Sequence, residues 1–358
     1  MKINFIVPEI SRTGGMRIIF EYANRLTSRG HDVILYTPVI PFNNYKGSVS
    51  KYYLKYQLKY AKNIILKGKK FPDNIYRYNF KFEFLWLFNN FTVRDADALI
   101  ATSWTTSYVV SKLNAAKGKK FYLIQDYENW NSNEFYVDKS YSLPLTRITV
   151  SKYLKDLLLR KFNSNSEIIL NGIDFSLFNN PNKVFNDPPV ILFTDHILEN
   201  KNTKTAIDIA VRIHEKYPDV RFRSFGRSRY HNMPEYIEFI TDPGEEDIVK
   251  LYCGSDIFLF TSLYEGFGLP PAEAMACRCA LSGNRSGAVP EFAEHLKSAM
   301  LASPDNPDEL YKCVDYLLSN RDELRRISEE GSEKIRETLD WNRSVNKFED
   351  LISENYIK

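Results

Sequence analysis

The sequence predicts an α/β protein made of two doubly wound parallel-sheet domains. Three observations predict it. Short apolar runs alternate with amphipathic segments through both halves of the chain, the alternation that implies parallel sheets. Each half contains a strand followed by a glycine turn and a helix, the unit that lets backbone approach a ligand closely. Finally, 358 residues are long for one core and comfortable for two.

Taken in order, Lys2–Val7 is a first buried strand, and a loop with Gly14-Gly15 leads into an amphipathic helix, Met16–Ser28. Gly30 stops that helix and Asp32–Tyr36 forms the next strand. The unit lacks a full G-x-G-x-x-G, so its glycines are equally a tight turn. Regular alternation then lapses between Val39 and Phe80. Within that stretch Lys51–Lys70 holds seven lysines and no acid, with Lys51, Lys55 and Lys59 on one helical face and Tyr53, Leu54, Leu58, Ile64 and Ile65 supplying apolar area. This segment fits an anionic membrane surface, at roughly 1 kcal/mol per surface lysine, or simply a helix with a solvated face. Further strands follow at Leu99–Thr102 and Lys120–Ile124, and Gln125-Asp126-Tyr127-Glu128 lies just beyond the second, where ligands sit in parallel sheets. Asp126 is the candidate there; it serves equally as a turn residue. Strand Arg147–Val150, helix Ser151–Phe162 and strand Glu167–Leu170 complete the half, and Phe178–Pro189, rich in Asn and Pro, is expected as a linker.

The second half restarts with strand Val190–Thr194, helix Thr203–Lys216, strand Val220–Phe225 and a turn at Gly226. Its centre is the apolar run Ile257-Phe258-Leu259-Phe260, followed by Glu265-Gly266-Phe267-Gly268-Leu269 and by Pro270-Pro271 opening a helical segment, Ala272–Ala276. Proline at a helix start forfeits no hydrogen bond, because that N–H is unpaired anyway. The loop therefore presents several N–H groups at the positive end of a helix dipole, a site for an anion such as phosphate. Glu265 and Glu273 bracket the loop with seven residues between them. Carboxylates repel phosphate, so their use is to accept hydrogen bonds from hydroxyls, one from a nucleoside ribose and one from a sugar. Singly, each acid reads as a turn or helix-terminus partner; together with the glycines and the double proline they describe a nucleotide-sugar pocket. Helices Pro307–Leu318 and Asp322–Leu339 and a final amphipathic segment, Trp341–Tyr356, end the chain.

Composition excludes several classes. A net charge of +3 gives no case for nucleic acid, and the lysines gather in one segment with no binding motif around them. Cys253, Cys277, Cys279 and Cys313 have no zinc spacing and read as buried thiols of a reducing compartment. The five histidines are scattered and suggest no metal site. MKINFIVP enters a strand directly without a signal peptide, and no uncharged run reaches bilayer length. A cytoplasmic protein is expected, with peripheral contact at the inner membrane face through Lys51–Lys70 as a candidate.

EGFGLPPAEAMA, with Gly287 and Glu291 beyond it, resembles the E-x7-E signature of glycosyltransferase family 4, the retaining nucleotide-sugar transferases of GT-B fold. Asn171-Gly172-Ile173-Asp174 resembles the N-G-[IV]-D that closes the family's first domain, and QDYE is similar to a rhamnosyltransferase-like branch. The resemblance implies an acceptor-side domain over residues 1–177, a donor-side domain over 178–339, a cleft between them, and a C-terminal helix, 340–358, crossing back to the first domain. It assigns donor binding to Gly14, Gly15, Arg17, Lys201, Gly266, Phe267, Gly268, Leu269 and Glu273, and catalysis to Glu265 and Asp126. It implies a nucleotide-sugar donor, a glycan or lipid-linked acceptor in cell-surface polysaccharide synthesis, no cofactor and no obligatory metal. Two departures matter. Where the family has Gly-Arg after the first strand of the second domain, this chain has Asp195-His196, with Arg227 or Arg229 as compensating candidates; Gln125-Asp126 stands where many members have histidine. These departures motivate an alternative, a non-catalytic GT-B paralogue acting as scaffold. A sugar-nucleotide epimerase on the same fold is a further rival, needing acid and base groups but no acceptor.

Overall fold

The computed structural model describes residues 1–42, 51–67, 76–129 and 133–354. The chain divides into two compact units, Met1–Ile169 with Ser344–Lys358, and Leu170–Arg343.

Unit 1 carries a seven-stranded parallel sheet of β1 (Lys2–Ile6), β2 (Asp32–Pro38), β3 (Lys81–Leu85), β4 (Ala98–Ala101), β5 (Lys119–Ile124), β6 (Thr146–Thr149) and β7 (Glu167–Ile168), in the order β3-β2-β1-β4-β5-β6-β7. Strands buried on both faces become uniformly apolar, as Ile3, Phe5 and Ile6 beside Leu99, Ile100 and Ala101 show. Helix α1 (Gly14–Ser28) starts two residues before the expected Met16, because Thr13 caps it by accepting the Met16 N–H at 3.3 Å. The lysine-rich stretch forms α2 (Lys51–Lys67); residues 68–70 lie outside the described residues, as do the side chains of Lys51, Tyr53 and Leu54. Tyr60 and Ile64, four apart on one helical face, pack on Val39 and Phe84, while Lys55, Lys59 and Lys62 are exposed. Strand β3 and helices α3 (Trp104–Lys112) and α4 (Glu134–Ser140) were not foreseen: β3 follows the irregular stretch and α3 is rich in Ser, Thr and Val. Ser103 caps α3, and Ser151 caps α5 (Lys152–Phe162) where a first helical residue was expected.

Unit 2 carries a six-stranded parallel sheet of β8 (Val190–Thr194), β9 (Arg221–Gly226), β10 (Ile237–Thr241), β11 (Ile257–Phe260), β12 (Ala280–Asn284) and β13 (Met300–Ala302), ordered β10-β9-β8-β11-β12-β13. Its helices are α6 (Thr203–Lys216), α7 (Glu245–Cys253), α8 (Leu269–Ala276), α9 (Val289–Phe292), α10 (Pro307–Ser319), α11 (Arg321–Thr338) and the start of α12 (Trp341–Glu354). Strand β12, Ala-Leu-Ser-Gly-Asn, has weak strand propensity and is set by its place between β11 and β13.

The units do not part where the sequence suggested. A Cβ on Gly172 would run into the Trp341 ring, and Ile173 N–H donates to Leu339 O at 2.9 Å, so the Asn171–Asp174 motif belongs to unit 2. The expected linker, Phe178–Pro189, is packed on the same unit. Lys183 Nζ donates to Cys253 O at 3.1 Å, and Asn186 Nδ2 donates to the buried Asp256 Oδ2 at 3.0 Å. A buried carboxylate needs such partners, which is why Asn and Lys recur in this segment. At the other end, Ser344–Lys358 counts with unit 1, where Phe348 packs against Phe5 and Tyr22 with ring centroids 6.3 and 5.0 Å apart.

Candidate functional site

In unit 2 the strand order reverses between β8 and β11: the chain leaves β8 toward β9 on one side and returns through β11 on the other. Such a switch point parts the loops beyond the carboxyl ends of adjacent strands and opens a ligand crevice. Two loops meet here. After β8 comes Asp195–Asn202, whose residues Glu199–Lys201 form a 3₁₀ turn before α6. After β11 comes Thr261–Gly268, which runs into α8. They are laced together: Leu263 N–H donates to Asn200 O at 2.8 Å, Asn200 Nδ2 to Tyr264 O at 3.1 Å, and Thr261 Oγ1 to Lys201 O at 3.0 Å.

The lacing brings Lys201 Nζ within 2.7 Å of both carboxylate oxygens of Glu265. Ser262 Oγ donates to Glu265 Oε1 at 2.8 Å, and Asn284 Nδ2, from β12, donates to Thr261 O at 2.8 Å. Glu265 is 8% exposed, so three charge-assisted bonds hold a nearly enclosed carboxylate. Ser262 and Asn284 were not foreseen; both act through short polar contacts that no sequence pattern announces.

Beyond Glu265 the chain passes through buried Gly266 and Phe267 to Gly268, at φ +99°, which is the N-cap of α8. The helix begins at Leu269, three residues before the expected Ala272, so Pro270 and Pro271 lie in its first turn. Gly287, at φ +59°, supports the loop from below: a Cβ there would meet Glu265 Cβ at 2.8 Å and Phe267 O at 2.9 Å. Ala288 N–H donates to Phe267 O at 2.9 Å, fixing the same turn. Glu273, on α8, is 4% exposed, and Tyr252 OH donates to its Oε2 at 3.2 Å.

The Asp195-His196 departure divides into two fates. Asp195 turns inward, 4% exposed, and its Oδ2 accepts the Tyr230 N–H at 2.6 Å. Burial raises its pKa, opposed by that bond and one to Thr203. Gly226 permits this approach, since a Cβ there would collide with Asp195 O. His196 remains with the site. Its Nδ1 accepts the Leu198 N–H at 3.1 Å, which places the proton of the neutral ring on Nε2. Burial lowers its pKa, Lys201 and Arg227 push the same way, and Glu265 opposes them. Of the two compensating candidates, Arg227 is thus a charge felt by His196, whereas Arg229 Nη2 is engaged with the carbonyls of Met233 and Pro234 at 3.1 and 3.0 Å.

Unit 1 has its own switch point, between β1 and β4, and Gly14-Gly15 opens α1 there. Gly15 O accepts Gln125 Nε2 at 3.1 Å, joining the glycine turn to the QDYE loop after β5. Arg17 lies half-buried on the same first turn. Asp126 Oδ1 accepts its neighbour Tyr127 N–H at 2.9 Å, a local turn bond. The more perturbed acid is Glu128: its Oε1 accepts Trp104 N–H at 3.0 Å and Tyr122 OH at 3.2 Å. Burial raises its pKa to about 8, with the Asp126 charge adding a little and the two hydrogen bonds opposing. Its presence in QDYE was visible in the sequence; its enclosure was not. Among the described residues no cluster of His, Cys, Asp and Glu forms a metal-binding group.

Known proteins resemble the chain in sequence over much of unit 2 and in fold over nearly its whole length. Residues 174–334 match the family model of glycosyl transferases group 1. Over 98 residues the chain is 35% identical to an MMP alpha-(1->4)-mannosyltransferase of Mycolicibacterium hassiacum, covering 27% of this chain and 24% of that protein. An uncharacterized glycosyltransferase of Methanocaldococcus jannaschii is 23% identical over 65% of this chain and 62% of its own length. The chain thus spans less than two thirds of the length of either relative. In fold it is similar to sucrose-phosphate synthase from Thermosynechococcus elongatus, with a TM-score of 0.74 at 15% identity over 99% of both chains. It is similar also to HepE of Anabaena in complex with UDP, with a TM-score of 0.74 at 14% identity over 99% of this chain and 100% of that one. The fold is therefore GT-B, two Rossmann-like α/β domains with parallel sheets.

Proposed function

With residues 174–334 matching group 1 glycosyl transferases, we propose that the protein transfers a sugar from a nucleotide-sugar donor with retention of anomeric configuration. The observation that carries this reading is the Lys201–Glu265–Ser262 cluster at a topological switch point, beside the N-terminus of α8. A departing nucleoside diphosphate needs positive charge and N–H donors. Lys201, the loop Gly266–Leu269 with the N-terminus of α8, and His196 when protonated supply them in unit 2. Glu265 accepts hydroxyls of the donor sugar and offsets positive charge at the anomeric carbon, and Glu273 binds ribose. In unit 1, Gly14, Gly15 and Arg17 are donor-binding candidates and Asp126 a catalytic candidate on the sequence resemblance alone. The acceptor attacks from the face of the leaving group, and its proton passes to the departing phosphate; with Lys201 and the loop N–H groups carrying the leaving-group charge, this reading needs no obligatory metal.

The acceptor class in this reading is a glycan or lipid-linked glycan of cell-surface polysaccharide synthesis, in a rhamnosyltransferase-like branch. A peripheral membrane position is supported by the mixed exposed face of α2, where Leu58 and Ile65 accompany Lys55, Lys59 and Lys62, and by exposed Trp86, Leu87 and Phe91 after β3. No described helix is long and apolar enough to cross a membrane. Sedimentation with anionic but not neutral vesicles checks this position; equal recovery with both rejects it.

The deciding experiment is a thermal-shift and hydrolysis panel of nucleotide-sugars on wild type and Glu273→Ala. The UDP series comes first, because the HepE neighbour was solved with UDP. Stabilisation by one nucleotide series, its loss in the variant and slow hydrolysis of one donor support the transferase. If no nucleotide shifts the melting point, the scaffold reading replaces it, with Asp195-His196 as the cause.

A further inference from the structure

We propose that Tyr60 and Tyr76 are positioning residues for the loop between β1 and α1, their two phenol hydroxyls holding the backbone that leads into the Gly14-Gly15 turn. Residues 7–13 leave β1 and reach α1 without regular structure of their own. A backbone N–H buried in such a stretch needs a partner from outside it. Tyr60 supplies one: Ile10 is 3% exposed, and its N–H donates to Tyr60 OH at 2.9 Å. Tyr60 reaches the loop from α2 and is itself buried, its hydroxyl 3.4 Å from Thr37 Oγ1 on β2. Tyr76 holds the next residues. Its OH accepts the Thr13 N–H at 3.2 Å and stands 3.0 and 3.1 Å from the carbonyl oxygens of Ser11 and Thr13, to one of which it donates. The Thr13 N–H also reaches Ser11 O at 3.0 Å, so the phenol closes a turn already begun.

Tyr76 is fixed in its turn along α1. Its ring packs on Phe20 with centroids 4.6 Å apart, Asn24 Nδ2 donates to Arg77 O at 3.1 Å, and Asn79 N–H donates to Asn24 Oδ1 at 2.9 Å. Both hydroxyls thus come from outside the β1–α1 unit, one from the lysine-rich helix and one from the stretch before β3. Thr13 passes their hold on to the helix. Its Oγ1 accepts the Met16 N–H at 3.3 Å and its O accepts the Arg17 N–H at 3.0 Å, so a shift of Thr13 moves the turn that carries Gly14, Gly15 and Arg17. Positioning matters for turnover only where that turn binds the donor, as proposed above. Without the hydroxyls the loop samples other arrangements, and apparent donor affinity falls by the fraction that remains competent, while saturating donor restores turnover.

Tyr60→Phe and Tyr76→Phe keep the rings and remove only the hydroxyls, and both are tested in the full chain. Hydrogen exchange of the ligand-free protein should be about 3- to 10-fold faster at the Ile10 amide in Tyr60→Phe, and at Thr13, Met16 and Arg17 in Tyr76→Phe. With the donor that the nucleotide-sugar panel selects, each variant should raise KM about 3- to 10-fold and hold kcat to within about twofold. Tyr36→Phe is the structural control: its buried phenol accepts the Arg94 N–H at 3.3 Å, so the variant should lower the melting temperature and leave KM where it was. Unchanged exchange at the loop amides in both variants overturns the proposal, and exchange decides this without any donor. Faster exchange with an unmoved KM overturns it too, provided Arg17→Ala does raise KM. Where Arg17→Ala is equally silent, the donor-binding reading of the turn has failed, and the faster exchange still supports the two hydroxyls as the anchors of the loop.

Discussion

Lys201 and Glu265 stand 64 positions apart in the chain and share two hydrogen bonds of 2.7 Å. The pair puts a cation and an anion at one switch point, the opposite charges that the diphosphate and sugar of the proposed donor would meet. Lys201→Ala leaves a nearly enclosed carboxylate with Ser262 as its remaining donor among these contacts. The expected cost is about 1–3 kcal/mol of stability and about 10²–10³ in kcat. Glu265→Gln keeps the shape and loses the charge, so it should hold its melting temperature to within a few degrees while losing comparable activity. Melting and turnover equal to wild type in both variants would show that the pair has no role in either.

Gly287 gives a steric test. At φ +59°, Gly287→Ala meets both backbone strain and a Cβ contact at 2.8 Å with Glu265. Gly30→Ala shares the positive φ, +87°, but faces open space. Gly30→Ala should cost about 1–2 kcal/mol with activity intact, and Gly287→Ala more than that together with a loss of kcat. Chemical denaturation and turnover on the same preparations separate strain from displacement of the acid.

If the proposed donor binds beside His196, its binding is expected to depend on pH. The folded pKa of His196 lies below the ordinary 6.5, chiefly through burial, so the unfolded chain binds more protons in the window just below that value. Stability of the ligand-free protein therefore falls as pH drops through this window. A bound diphosphate favours the imidazolium, so nucleotide affinity moves the opposite way and rises as pH falls. His196→Asn should flatten both slopes, by up to about one proton each. Melting curves from pH 5 to 8, with and without nucleotide, read the two slopes at once; a nucleotide affinity independent of pH in the wild type removes His196 from the site.

Glu128 titrates the other way. Its carboxyl shifts from an ordinary 4.5 to about 8 on folding, so the folded chain holds a proton that the unfolded one has released across that interval. The stability it contributes is full below about 4.5 and is lost as pH rises through about 8. Glu128→Gln preserves acceptors for Trp104 N–H and Tyr122 OH and should stabilise the protein at pH 8 by on the order of 1–3 kcal/mol. The gain should vanish near pH 5, which urea titrations at the two values decide.

Much of the frame could be read from the residues. β8 and α6 fall on their expected bounds, and the strand–loop–helix around Glu265 was legible because Gly, Pro and Glu each have a local reason there. β10, β12 and β13 were not, since their pairing with neighbours far along the chain decides them. Lys201 and Glu265 were both readable as candidates, but not their contact, which depends on β8 and β11 being adjacent. The inward turn of Asp195 needed the approach of Gly226, a fact of two strands rather than of either. Likewise, the Asn-rich stretch from 178 read as a linker because the buried Asp256 it serves lies some 70 residues on.

The core of unit 1 takes in a ring from far along the chain: Phe348 packs on Phe5 and Tyr22. A ribosome thus joins Phe348 long after β1, the strand of the first unit that carries Phe5. Every residue of Leu170–Arg343 has been joined before Phe348 is added. The half that begins first is consequently the half that matures last, and until then Phe5 and Tyr22 wait with an apolar surface uncovered, the kind of exposure that chaperones attend.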